Sequence, residues 1–284
     1  MDRQRLRGLG RTLTSSVDWP NANWDQVDFR DAPEPLATVM PIGLVACIAF
    51  GAVGLAGNAI AAQRGAPTGG VTIDPRAAAL AMCANDYLRV EGTAPVSWPE
   101  LTRFYRASDG WVFLHGGFPP HAKKLVAALD APLDREGLAA RIAEMTAQEV
   151  EDRCIAANTC GRRLRTPEAW AAHPAAAAVA ERPVLDITEL PPAEPRAWTG
   201  SDKPLTGVRV LDFSRVLAGP TIGRTLAEHG ADVLRIASPN LPSIEPLVID
   251  TGFGKRSTFI DLETETGRAA LSILLADADV VIDG

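Results

Sequence analysis

Between Gly207 and Gly284 the chain alternates short apolar runs with helical segments, and no other feature constrains its fold as much. GVRVLDFS, ADVLRIAS, KRSTFIDL and ADVVIDG each gather Val, Ile or Leu over the length of a strand. Helical segments follow the first and third runs: PTIGRTLAEHG, with Pro220 near its start and Gly230 at its close, and ETETGRAALSILLA. Strands joined through helices pair in parallel with right-handed crossovers. The expected class is α/β, with a Rossmann-like parallel βαβ half-domain over residues 205–284.

Upstream the pattern is weaker. Residues 1–35 are polar, mixed in charge and rich in turn formers, and read as an N-terminal arm. Residues 36–190 read as a mostly α-helical portion. It opens with a helix of small residues, passes the turn RGAPTGG and the short strand VTID, and continues in the helix RAAALAMCANDYL. FYRASDGWVFLHG reads as a hairpin turning at Ser108-Asp109-Gly110. Amphipathic helices follow over residues 120–157, the clearest carrying Leu138, Ile142, Met145, Val150 and Ile155. Thr166-Pro167 caps a further helix that runs toward a short strand at Val184 to Ile187. PPAEPRAWTGSDKP, over residues 191–204, is Pro-rich and reads as the linker between domains.

Composition excludes several function classes. The formal net charge of -7 provides no basic surplus for holding a nucleic acid backbone. The four cysteines, Cys47, Cys83, Cys154 and Cys160, form no CxxC pair and have no companion histidines at ligand spacing, so no metal site is expected. They read as reduced thiols of a cytoplasmic protein. No apolar h-region follows the basic N-terminus, so no secretory signal is expected. Pro35 to Gln63 carries no charge and is long enough to span a bilayer, but its Gly and Ala content, Asn58 and Pro41 favour a helix buried in protein.

The common nucleotide, hydrolase and metalloprotease signatures are absent. The histidines, His115, His121, His173 and His229, have no acidic or cysteine partner at a useful spacing. The turn Phe213-Ser214-Arg215-Val216-Leu217-Ala218-Gly219-Pro220 is different, because it lies where a strand ends and a helix begins. Ligands of open α/β sheets collect at such ends, where free N–H groups face phosphate or carboxylate oxygens. Arg215 adds a full charge there; a plain strand-to-helix turn is the alternative.

PLTGVRVLDFSRVLAGPTIGRTLAEHGADVLRIASP and GKRSTFIDLETETGRAALSILLADADVVIDG closely resemble the N-terminal segment of family III CoA-transferases of the CaiB/BaiF type. The shared elements come in order: a strand with Asp212, R-x-L-A-G-P, G-A-D-V, G-K-R-S, D-L, T-x-x-G-R and A-D-V-V. The resemblance implies a CoA cradle in which Arg215, Val216, Leu217 and Ala218 lie against the nucleotide and pantetheine, with Ile260 and the Asp283 to Gly284 end nearby. Where the family commonly has a basic residue after its second strand, this chain has Ala237 and Ser238. A weaker resemblance links residues 36–190 to the family's later segment. That inverted order is expected of a fused tandem protein with a degenerate first copy.

The family's activity, by the same resemblance, is acyl-CoA:carboxylate CoA transfer through an aspartyl intermediate. α-Methylacyl-CoA racemase-like isomerisation and a non-catalytic CoA-binding role are the alternatives. The family aspartate follows the A-D-V-V strand, so it is expected beyond Gly284 in a chain truncated before it, and no catalytic residue is assigned here. The expected ligands are acyl-CoA and a carboxylic acid as substrates, with no further cofactor, no nucleic acid and no membrane. The family's interlocked chains imply a homodimer for a full-length protein.

Overall fold

The computed structural model describes residues 2–17, 19, 22–33, 36, 38–95, 99–192, 194, 197 and 202–284. In chain order the elements are α1 (Arg3–Ser15), β1 (Val27–Phe29), α2 (Ile42–Gln63), β2 (Val71–Ile73), α3 (Pro75–Ala81) and α4 (Ala84–Tyr87). Next come β3 (Arg103–Arg106), β4 (Trp111–Leu114), α5 (Pro119–Leu129), α6 (Arg135–Ala143), α7 (Ala147–Ala156), β5 (Gly161–Arg163), α8 (Pro167–Ala171) and α9 (Pro174–Ala180). The last are β6 (Arg209–Asp212), α10 (Ala218–Glu228), β7 (Asp232–Ala237), α11 (Glu245–Thr251), β8 (Lys255–Phe259), α12 (Glu265–Asp277) and β9 (Val280–Ile282). Two compact units result, Met1–Pro95 with Pro183–Gly284, and Val96–Arg182. The Pro-rich stretch at 191–204 therefore does not divide them.

In the first unit, β6 to β9 form a wholly parallel sheet of order β8-β7-β6-β9. From β6 the chain steps outward through α10 to β7 and through α11 to β8, then returns past both to β9. Right-handed crossovers put α10 and α11 on one face and α12 on the other. Val210, Val233 and Ile282 are buried in this sheet's core. The strands match their sequence pattern, but α11 stands between the second and third runs, where the sequence pattern marks no helix. Pro, Ser and Asn precede it, and its seven residues carry too short an apolar pattern to read; Leu247 is nevertheless fully buried.

The remaining part of this unit corrects the reading of residues 1–35 as an arm. Asp2 caps α1 by accepting from the Gln4 and Arg5 N–H groups at 2.9 and 3.3 Å. Leu6, Trp24, Val27 and Phe29 are wholly buried with Ala46 and Cys47 of α2. β1 pairs in parallel with β2, Val27 opposite Val71. The polar composition concealed this because α1 buries Leu6, Gly10 and Thr14, a face mostly of small or polar residues. A Cβ on Gly10 would lie 2.5 Å from the Trp24 ring. α2 is long and apolar enough to cross a membrane by length and composition. Its small residues also admit close neighbours: a Cβ on Gly51 would meet Trp24 at 2.7 Å and one on Gly54 would meet Val71 at 2.6 Å. Just past α2, Arg64 donates to the Pro204 and Thr206 carbonyls at 2.5 and 2.9 Å.

The second unit contains the expected hairpin. β3 and β4 pair antiparallel, from Arg103 opposite Leu114 to Arg106 opposite Trp111, and β5 adds to β4. Tyr105, Val112 and Leu114 pack on Leu125, Leu129, Leu138, Ile142 and Val150 from α5, α6 and α7. β5 extends the expected hairpin of the mostly helical region to a three-stranded sheet. The strand expected at Val184 to Ile187 does not form; these residues are exposed and without regular structure, because no sheet edge is paired with them. Glu151, 2% exposed, accepts from Arg165 Nη2 at 2.5 Å and Nη1 at 2.9 Å. Burial pushes the Glu151 carboxyl up, but the hydrogen bonds and charges of Arg165 and Arg163 outweigh it and hold the group below its ordinary value.

Gly10→Ala should cost about 1–3 kcal/mol of stability by forcing the Trp24 ring aside, measurable by denaturant unfolding. A carboxylate with a lowered folded pKa adds stability above its unfolded pKa, and that stability is lost as pH falls through the folded value. Glu151→Gln should therefore remove about 3 kcal/mol at neutral pH by leaving the Arg165 guanidinium without its counter-charge. The same variant should flatten the acid limb of the stability curve below about pH 4.3, and an unaltered limb would contradict the assignment.

Candidate functional site

The parallel order β8-β7-β6-β9 creates a switch point between β6 and β9, since the chain leaves β6 toward β7 while β9 adds on the opposite side. Ligands of open α/β sheets bind outside the strand C-termini at such points. The β6–α10 turn stands there. Phe213 N–H donates to the Ile282 carbonyl at 2.9 Å and so extends the β6–β9 pairing into the turn.

Ser214 turns the chain back. Its N–H donates to Asp212 Oδ1 at 3.0 Å, and its hydroxyl donates to the same oxygen. Arg215 Nη2 donates to the Pro242 carbonyl, which ties the turn to the segment between β7 and α11. Val216 follows at φ +70, a left-handed conformation that a β-branched residue rarely adopts. Leu217 occupies the N-cap of α10 without a side-chain cap. First-turn N–H groups of a helix have no intrahelical partner, and here no capping side chain occupies that end. Gly219 permits the close approach of α10 to the turn, since a Cβ there would fall 2.2 Å from the Ser214 Cβ.

Beneath the turn lies an ion pair. Lys255 Nζ stands 2.8 Å from Asp212 Oδ2 and donates to the Pro220 carbonyl at 2.7 Å, with side chains 2% and 0% exposed. Gly223 leaves the room for it: a Cβ there would be 2.5 Å from Asp212 Oδ2 and 2.9 Å from Lys255 Nζ.

Arg215, Val216, Leu217 and Ala218 thus form one continuous lip. Gly284 follows β9, the strand beside β6, while Ile260 follows β8, with β7 between it and the lip. Ile260 N–H donates to the Ala237 carbonyl at 2.9 Å. Ala237 closes β7, and Ser238 Oγ accepts the Asn240 N–H at 3.1 Å, so neither supplies a cation. Arg268 brings another positive charge to the β8–α12 connection and donates to the Leu262 and Glu263 carbonyls at 3.0 and 2.8 Å. Arg268 closes the T-x-x-G-R element. Asp212 and Asp261 are held by neighbours, the latter by Asn240 Nδ2 at 3.1 Å and the Glu263 N–H at 3.0 Å. Among the described residues no cluster of His, Cys, Asp and Glu could hold a metal ion.

The sequence comparisons bear on the part that builds this lip. Residues 205–284 match CoA-transferase family III. The acetyl-coenzyme A transferase nodX of Hypoxylon pulicicidum is 42% identical over 92 residues, 32% of this chain and 16% of that protein. The succinate–glutarate CoA-transferase of Agrobacterium fabrum is 35% identical over 115 residues, 34% of this chain and 27% of that enzyme. An acyl-CoA transferase of Gibberella moniliformis is 25% identical over 201 residues, 64% of this chain and 35% of that protein. The crystal structure of the hypothetical protein Rv3272 from Mycobacterium tuberculosis is 37% identical, covering 28% of this chain and 24% of that one, with a TM-score of 0.25. The chain thus spans about a third or less of the length of these relatives. Residues 205–284, which form the parallel sheet and its β6–α10 turn, are thus the part of this protein that is similar to CoA-transferase family III.

Proposed function

We propose that the β6–α10 lip holds the nucleotide and pantetheine portion of an acyl-CoA, in a protein that moves CoA between carboxylic acids. The observation that carries this reading is the backbone of the turn. A left-handed Val216 and an uncapped eleven-residue helix start together face outward at the switch point, with Arg215 beside them. Residues forced into sparsely populated conformations cluster at ligand sites. A polyanionic ligand matches N–H groups at a helix start and a guanidinium. The names of the relatives, an acetyl-coenzyme A transferase and a succinate–glutarate CoA-transferase, support CoA thioesters and carboxylic acids as the substrate classes.

In the transfer chemistry of this family a carboxylate attacks the thioester carbonyl and CoA leaves as the thiolate, giving a mixed anhydride. The thiolate then attacks the anhydride at the enzyme carboxylate, which forms an enzyme thioester and frees the first acid. None of Asp212, Asp261 and Asp283 is assigned that role. Asp212 is buried against Lys255, Asp261 is engaged by Asn240, and Asp283 accepts the Gly284 N–H at 3.0 Å. What residues 205–284 contribute in this reading is binding and orientation of the CoA portion. A cytoplasmic setting and assembly as a homodimer belong to the same reading.

Calorimetric titration of the purified chain with CoA should show saturable binding that weakens as salt rises, because the phosphates are held by charge. No binding at millimolar CoA would remove the reading. Arg215→Ala should lower the affinity about tenfold, the effect of losing a charge-assisted hydrogen bond; unchanged affinity would take Arg215 out of the site.

A further inference from the structure

We propose that Asp212 and Lys255 are positioning residues for CoA, fixing the Arg215 to Leu217 backbone in its receptive conformation without touching the ligand; this rests on the reading of the lip as a CoA cradle. Side chains 0% and 2% exposed cannot meet a ligand in solution. Their contacts lie at either end of the lip. On the strand side, Asp212 Oδ1 receives the Ser214 N–H and hydroxyl. On the helix side, Lys255 Nζ joins Asp212 Oδ2 to the Pro220 carbonyl in the first turn of α10. Val216, at φ +70, lies between these anchors.

A β-branched residue keeps such a conformation only where its surroundings over-determine it. The pair does so through chemistry that a neutral pair lacks. A carboxylate has acceptor sites on both oxygens, so one can hold the Ser214 turn while the other holds the ammonium. The ammonium has donors enough for both Asp212 and Pro220. Lys255 reaches Asp212 from the start of β8, with β7 between β8 and β6, so the lip is registered against three strands. Gly223 and Gly219 provide the space in α10. Rigid presentation lowers the ordering cost that binding would otherwise bear.

The test compares the wild-type chain with Asp212→Asn/Lys255→Met and with Ser214→Ala. It follows CoA affinity by calorimetry, thermal unfolding, and amide hydrogen exchange across residues 214–219. The double variant should unfold close to the wild-type temperature, because removing both charges removes their desolvation cost along with their attraction. Its amides at 214–219 should exchange faster, and its CoA affinity should fall about tenfold. Native affinity and native exchange in a folded double variant would overturn the proposal and leave the pair a packing device. Should the double variant not fold, Ser214→Ala leaves the ion pair in place and carries the same comparison. A loss of about threefold in affinity with faster exchange is then expected, and unchanged values overturn the proposal. If the wild-type chain itself does not bind CoA, the cradle reading falls. Exchange confined to 214–219 then still shows whether the pair fixes the turn, and unaltered exchange there refutes it.

Discussion

The contact between Lys255 Nζ and Asp212 Oδ2, 2.8 Å long and sealed from solvent, joins β6 to β8 across the parallel sheet. Burying both charges is expensive, and their attraction offsets that cost only when every remaining donor and acceptor is also satisfied. Here the Ser214 N–H and hydroxyl partner Asp212, and the Pro220 carbonyl gives the Lys255 ammonium a second acceptor. An apolar pair of similar volume would stabilise the sheet as well or better. What the ion pair adds is direction: it commits the end of β6, the start of β8 and the first turn of α10 to one arrangement.

That arrangement makes sense of several motif elements that look unrelated along the chain. Asp212 and the lysine of G-K-R-S are two halves of one contact. The glycine of A-G-P allows α10 to press on Ser214, and Gly223 leaves space above the pair. In T-x-x-G-R, Thr264 accepts the Gly267 N–H at 3.0 Å at the N-cap of α12. A Cβ on Gly267 would overlap the Asp261 carbonyl at 1.8 Å. In G-A-D-V, Asp232 pairs with Arg256 at 2.6 Å. Most of the motif therefore builds a platform. The part left facing outward is the lip from Arg215 to Ala218.

The alternation of strands and helices from Gly207 onward was legible because its signals are local: runs of Val and Ile, and Pro and Gly at helix ends. The position of the lip was legible too, since a strand end beside a helix start can be read without tertiary contacts. The Asp212–Lys255 contact was not, because its partners are 43 residues apart and meet across an intervening strand. The burial of α1 was concealed by its composition. Its inner face uses Gly10 and Thr14, and the apolar bulk comes from Trp24, whose Nε1 donates to Thr14 Oγ1 at 3.2 Å. The converse error occurred at Val184 to Ile187, where β-prone residues met no strand edge. Strand propensity has force only where a partner is available.

A second recess on the sheet suits a ligand less well, on grounds of size and charge. Between α12 and the sheet lies a cleft of about 240 Å³, lined by Leu211, Leu234, Ile273 and Leu274 with charged residues at the strand starts. That is below the roughly 300–1,000 Å³ usual for ligand pockets. Its charges are also matched, Arg209 with Asp277 at 3.1 Å and Arg256 with Asp232 at 2.6 Å. A polyanion entering there would have to break those pairs and would meet an apolar floor. It also lies at the starts of β6, β7 and β8, the end of an open α/β sheet away from its switch-point crevice. At the opposite ends of the strands the α10 start lacks a side-chain cap, and Lys255 pairs with Asp212 at the end of β6. The difference between the two ends follows from strand polarity, and it supports the lip as the proposed CoA site.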